Sequence, residues 1–176
     1  MEQDVPDYLR AGLKLVIVGI NPGMRSGSEG HHYAFAGNHF WRLISESGLV
    51  PIPITYAADQ RVLEFDIGLT NLVDRTSRSA DELSKVELQA GAANLRAKLL
   101  RYRPRVVAFN GMGIFEAFSG LKRVKPGLQE WRLEDMQMFV MPSSSGRTAA
   151  YLWPAKLALF QQLKVLVDGV TAEAAI

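Results

Sequence analysis

The residues able to do chemistry gather in three short polar segments. The first is Gly19-Ile-Asn-Pro-Gly23. Its proline pushes Asn21 toward an extended backbone, so the amide is held out from the chain, and the two glycines let a ligand come close to the main chain. An amide there can accept a hydrogen bond from water and donate one to a substrate. The same residues also suit an Asx-type turn in which Asn21 serves only its own loop. The second segment, Gly30-His-His-Tyr-Ala-Phe-Ala-Gly-Asn-His-Phe-Trp41, holds all three histidines of the chain among aromatic residues. The third, Met141-Pro-Ser-Ser-Ser-Gly-Arg147, is a run of hydroxyl side chains closing on an arginine. It offers donors for a phosphate and a cation that can hold one or enter a nucleic acid. A serine-rich connection with one exposed charge has the same composition.

Several chemistries fit poorly. No G-x-G-x-x-G and no G-K-[ST] follows the first segment, which disfavours a nucleotide-cofactor enzyme. His31 and His32 are adjacent and only Glu29 lies close by, a poor spacing for one metal centre. With no cysteine there is no thiol nucleophile, disulfide or thiolate-held metal. Aromatics beside flexible glycines suit stacking on a flat base, whereas Phe40 and Trp41 open a helical period and read as core.

The elements that must position these segments alternate. Leu13 to Ile20 is a β-branched apolar run that reads as a buried strand. Asn38 is an N-cap candidate for a helix carrying Phe40, Trp41, Leu43, Ile44 and Leu49, with Gly48 as the stop. Tyr56 to Leu63 reads as a short helix. Gly68 to Asp74 is a strand or extended loop whose polar residues argue against a deeply buried centre. Ser84 caps a long helix to about Tyr102, in which Leu88, Ala92, Leu95, Leu99 and Leu100 recur at helical spacing. Arg105 to Phe109 is a second buried strand, Ile114 to Phe118 is helical, and Gln137 to Met141 is a further strand. Pro154 opens a last helix whose Leu157, Leu159, Phe160, Leu163 and Leu166 face inward. Such alternation predicts an α/β sandwich with a mainly parallel sheet. Ligands then bind beyond the C-terminal strand ends, where the Asn21, Asn110-Gly111 and Ser143–Ser145 loops lie.

Length and composition bound the answer. The 176 residues are 48% hydrophobic and 22% charged, ordinary for one compact domain spanning residues 1–176. The ends, about residues 1–8 and 170–176, lack an apolar period and are expected to fray. No stretch approaches the roughly 18 apolar residues of a membrane span, and the acidic opening is unlike a secretory signal. An intracellular location, cytoplasmic or nuclear, fits. Twenty Lys and Arg against 18 Asp and Glu leave a charge of only +2, so any nucleic-acid surface must be a local one. Arg75, Arg78, Lys122, Arg123, Lys125 and Arg147 are its candidates.

Four motifs in order tie the segments together. Gly19-Ile-Asn-Pro-Gly-Met, Gly30-His-His-Tyr with Gly-Asn-His-Phe-Trp41, Thr70-Asn-Leu-Val-Asp-Arg-Thr76 and Met141-Pro-Ser-Ser-Ser-Gly-Arg147 resemble the mismatch-specific uracil- and thymine-DNA glycosylases. The similarity runs over roughly residues 10 to 165, and the His-His-Tyr and Ser-Ser-Ser versions look closer to the eukaryotic thymine branch. The resemblance implies a three-layer fold of the uracil-DNA glycosylase kind. It also implies hydrolysis of the bond between a flipped pyrimidine and deoxyribose, without metal or cofactor, on double-stranded DNA with G·U or G·T mispairs; a monomer is the default expectation.

Carried over residue by residue, it puts Asn21 on the attacking water, which an amide orients without deprotonating. The departing base would be stabilised by main-chain donors around Ile20 and Ser26. Tyr33 would stack on the base, with Asn38 and Asn71 also in the base site, Asn71 at its edge. Ser143, Ser144 and Ser145 would grip phosphates, and Arg147, beside Gly146, would fill the gap in the stack. Asp74 is a second catalytic candidate as a true base, or else a salt-bridge partner of Arg75 or Arg78. Small residues such as Ser26 and Ala34 leave room for a thymine methyl. A non-catalytic module that senses mismatches or flipped bases, or an enzyme of small nucleosides, would share many of these residues. The iron–sulfur relatives are excluded, because their four cysteine ligands are missing.

Overall fold

A computed structural model describes residues 5–147 and 150–174. Five strands form one sheet: β1 (Leu15–Gly19), β2 (Ile67–Asn71), β3 (Val106–Asn110), β4 (Gly127–Leu133) and β5 (Met136–Met141), in the order β2-β1-β3-β5-β4. All neighbours pair in parallel except β4, which runs antiparallel to β5.

The central strands are apolar without alternation because both faces of the sheet are covered. Leu15, Ile17, Val106, Ala108, Phe139 and Met141 point to one side. There they meet Phe40, Leu43 and Ile44 of α2 (Phe40–Glu46) and Phe160, Leu163 and Val167 of α5 (Trp153–Ala174). Val16, Val18, Val107, Phe109, Met138 and Val140 point to the other. These pack on Leu95 and Leu99 of α3 (Lys85–Tyr102) and on Ile114, Phe115 and Phe118 of α4 (Met112–Ser119). The result is the α/β three-layer sandwich.

Most expected elements form where their local signals lie. Ser84 caps α3 in a full capping box: its hydroxyl accepts from Glu87 N at 3.1 Å, and Glu87 accepts from Ser84 N at 2.8 Å. Gly48 ends α2 with φ 83°. The segment Tyr56–Phe65 is a 3-10 helix interrupted at Ala58.

Other elements depart from expectation. β2 is buried along its whole length, although its sequence is polar at Thr70 and Asn71. The Thr70 hydroxyl donates to Asp7 at 2.6 Å, which satisfies it beneath the N-terminal segment. Asn38 is not the N-cap of α2; His39 takes that position, while Asn38 Oδ1 still accepts from Phe40 N at 3.0 Å. The helix α1 (Met24–Glu29) and the edge strand β4 were not anticipated. Six residues are too few to display a helical period, and β4 alternates buried and exposed positions through charged residues.

The last helix buries Lys156 along with Phe160, Leu163 and Val167, while Leu157, Leu159 and Leu166 are only partly covered. The ends are also more ordered than expected. Tyr8 bridges Leu69 in antiparallel fashion, and α5 continues to Ala174. The expectation for residues 1–4 and 175–176 lies outside the described residues.

Candidate functional site

Between β1 and β3 the chain reverses its order of strand addition, and a crevice opens at such a point beyond the C-terminal strand ends. A cavity of about 190 Å³ occupies it. Gly19 ends β1 and Ile20 to Gly23 carry it on into the wall, Asn71 ends β2 and Asn110 ends β3. Ser26 of α1, the loop carrying Tyr33, Phe35 and Asn38, and Ser143 and Ser145 beyond β5 complete it.

Asn21 is held by its amide nitrogen. Nδ2 donates to Arg75 O at 2.8 Å, to Ser77 Oγ at 2.7 Å and, more weakly, to Pro22 O at 3.3 Å. Carbonyl oxygens only accept, so the NH2 group must face them. Oδ1 is therefore turned the other way, and it has no donor among the described residues. The donating half of the amide serves the loop, and only the accepting half is left for a ligand or water.

That loop is itself anchored. Ser77 N donates to Pro22 O at 3.1 Å, and Arg75 pairs with Glu87 at 2.6 Å. Arg75, with help from Ser84 N, holds the Glu87 carboxyl down at about 2.

Asn38 is the converse. Its Oδ1 accepts from Phe40 N at 3.0 Å and from Ser144 Oγ at 2.7 Å, so its NH2 group is the half left over. The cavity thus carries a fixed acceptor on one wall and a fixed donor on another.

Tyr33 lines the same cavity at φ 52°, a left-handed position that costs a non-glycine residue energy. Phe40 covers one ring face, with centroids 3.9 Å apart and planes 18° from parallel. The Tyr33 hydroxyl is near Asn110 but makes no well-formed hydrogen bond among the described residues, and burial pushes its pKa up to about 12. Gly19 makes room for this cluster: a Cβ there would stand 2.5 Å from Asn71 Oδ1 and 3.0 Å from the Tyr33 hydroxyl.

The serine loop docks on the same wall. Asn38 and Ser145 form an antiparallel bridge, and His39 N donates to Ser144 O at 3.0 Å. Ser144 is completely buried, which corrects its expected grip on phosphate. Its hydroxyl accepts from Asn110 Nδ2 at 2.8 Å and donates to Asn38 at 2.7 Å, joining β3, the base-side loop and the serine loop. Ser143 and Ser145 remain at the cavity. Gly146 and Arg147 are exposed beside it, and Arg147 borders an adjoining groove with Arg25, Arg78 and Phe35. Ser26 is buried with its hydroxyl accepting from Ala34 N at 3.1 Å, and Ala34 itself stays out of the wall.

Asp74 does not join the site. Its side chain is 71% exposed and faces Lys98 of α3 at 3.7 Å, not Arg75 or Arg78. A carboxylate outside the cavity wall cannot take a proton from water held at Asn21, so the general-base reading is withdrawn.

His31 and His32 lean on a carboxylate that the sequence did not single out. Asp59 takes His31 Nδ1 at 3.0 Å, His32 N at 2.8 Å and the Tyr8 hydroxyl at 2.8 Å. His32 Nε2 donates to Pro6 O at 2.7 Å, and burial pulls its pKa below the ordinary value. Asp59 and Ser77 were missed as site residues, whereas Asn110 and the half-exposed Phe35 were expected only through the segments that carry them. Of the two, Ser77, next to the Thr70–Thr76 motif, had a signal at hand.

Comparison with known proteins bears on the family and the fold. The family described as the uracil DNA glycosylase superfamily matches residues 6–165. A G/U mismatch-specific uracil DNA glycosylase of Schizosaccharomyces pombe is 40% identical over 159 residues, covering 85% of this chain. The match takes in 49% of that protein, so the chain spans about half the length of this curated relative. The solution NMR structure of a candidate uracil DNA glycosylase from Methanosarcina acetivorans superposes with a TM-score of 0.63. It covers 93% of this chain and 98% of its own at 20% identity, a likeness of fold.

Proposed function

The chain belongs to the uracil DNA glycosylase superfamily, and on that premise we propose that it excises uracil from G·U-mispaired duplex DNA as a DNA N-glycosylase of base-excision repair. The observation that carries this reading is the orientation of Asn21, whose free Oδ1 accepts a hydrogen bond from the attacking water. An amide oxygen aligns water without taking its proton, so the step depends on charge developing in the sugar and base before the water attacks. Main-chain donors answer the negative charge on the leaving base. The Ser26 N–H, in the first turn of α1, has no partner within its own helix.

Tyr33, backed by Phe40, presents its remaining face to the flipped base, and its hydroxyl, without a good partner among the described residues, is left for the ligand. Asn38 NH2 and Asn71 meet the polar edge of the pyrimidine, and Ser143, Ser145 and the exposed Arg147 meet the strand it left. The enzyme acts as a monomer and needs no metal.

Cleavage of a duplex with one G·U pair, in chelator and followed by alkaline strand scission, tests this. Wild type is expected to cut, and Asn21→Ala to lose about a hundredfold or more in single-turnover rate, the cost of misplacing a reactant. A wild type inert on G·U, G·T and single-stranded uracil would leave a base-binding module in place of an enzyme.

A further inference from the structure

Lys156, in the opening turns of α5, is the one lysine or arginine buried among the described residues, at 2% exposure. Its Nζ donates to the Ser145 carbonyl at 3.0 Å, and no ion pair joins it to an acid among those residues. Two other lysines are answered by acids: Lys98 by Asp7 at 2.6 Å, and Lys164 by Asp168. Among the described residues, the titratable groups around Lys156 add no negative charge. His39 is pulled toward its neutral form by burial, then by the charges of Lys156 and Arg42, and its Nδ1 is buried without a partner among the described residues. Arg42 lies over the Trp153 ring at 4.3 Å and already pairs with Glu46. An ammonium removed from water is costly until an anion or a full set of acceptors answers it.

What lies over Lys156 is the serine loop. Ser143 Oγ accepts from Ser145 N at 3.2 Å, and Ser145 Oγ accepts from Arg147 N at 3.3 Å. Neither hydroxyl proton has an acceptor among the described residues, so both remain to be donated. The loop has little freedom to move away. A Cβ on Gly146 would stand 2.6 Å from Gly37 O and 3.9 Å from His39 Nε2, and Asn38 bridges Ser145.

We propose that Lys156 is a positioning residue for bound DNA: it fixes the Ser143–Gly146 loop from beneath and supplies the positive charge that a phosphodiester on the loop's outer side neutralises. This rests on the DNA-binding part of the functional reading. Two hydroxyl donors in front and a buried cation one peptide behind form a seat for a single anionic group. The cation acts through the loop, not by direct contact.

The test is equilibrium binding of the full chain to a duplex bearing an abasic-site analogue opposite guanine, measured from low to moderate salt, with thermal melts alongside. Lys156→Met should bind about tenfold more weakly near 0.1 M salt, and its plot of log K against log salt should be shallower by about one, as for loss of one phosphate interaction. Its melting temperature should equal or exceed that of wild type, because a buried unpaired charge has been replaced by an apolar side chain of similar length. Lys156→Arg should keep the wild-type slope. A Lys156→Met slope equal to wild type overturns the inference and leaves Lys156 as a structural prop, whatever the melt shows. A wild type that does not bind the duplex overturns the glycosylase reading and this inference together.

Discussion

Asp59 and Lys156 are nearly equal in burial, at 1% and 2% exposure, yet Asp59 receives three hydrogen bonds while Lys156 gives one. Asp59 ties Tyr8 of the N-terminal segment to His31 and His32 of the loop that carries Tyr33. Its partners all come from the chain itself, so its charge is answered before any ligand arrives. Lys156 lies beneath a loop at the cavity, and no acid among the described residues pairs with it. The difference separates two uses of a buried charge. One closes a structure on itself, and the other leaves part of the electrostatics for a ligand to complete.

The severest strain on this comparison is Asp59→Ala. It strands the Tyr8 hydroxyl, the His32 N–H and His31 together, and should cost about 3–5 kcal/mol in urea unfolding. A loss below about 1 kcal/mol, the worth of one ordinary hydrogen bond, would mean that Asp59 is no better integrated than Lys156.

Ser144→Ala sharpens the contrast on the loop side and should cost about 1–3 kcal/mol, because the buried Asn110 amide loses its acceptor. Its salt dependence of DNA binding should match wild type, since a buried hydroxyl is no phosphate ligand. Ser143→Ala should do the reverse, weakening binding while stability stays within about 0.5 kcal/mol. If Ser144→Ala flattens the salt dependence instead, the assignment of roles within the loop is wrong.

The smallest effect is a pH dependence around His32. Its folded pKa lies below the ordinary 6.5, so the unfolded chain binds the extra proton first. The stabilisation is whole above about 6.5 and is lost as pH falls below it. Melting temperature should therefore drop between pH 7 and 5. His32→Gln, which can still donate to Pro6 O, should flatten the drop in part, because His39 is shifted in the same direction. An unchanged slope in His32→Gln would detach His32 from the Asp59 cluster energetically.

Some of this was written in local order. β1, β3 and β5 are legible because strands covered on both faces need apolar residues at every position, and Ser84 with Glu87 announces α3. Asn21 is legible as a position, since proline and glycine constrain a loop through sterics alone. Which half of its amide is free was not, because Arg75 O and Ser77 Oγ approach from 54 and 56 positions away. Asp74 misled for the same reason: its motif says nothing of Lys98, which lies across on α3.

Sequence by itself therefore determined the strands, the caps, the loops that carry chemistry and the family those loops resemble, because backbone sterics and apolar periodicity act over a few neighbouring residues. Only the tertiary structure decided that Ser144 turns inward to Asn38, 106 positions away, that Asp59 is fully partnered and that Lys156 is not. Burial and hydrogen-bond partnership depend on which distant segments fold against a group, and that is a property of the assembled chain.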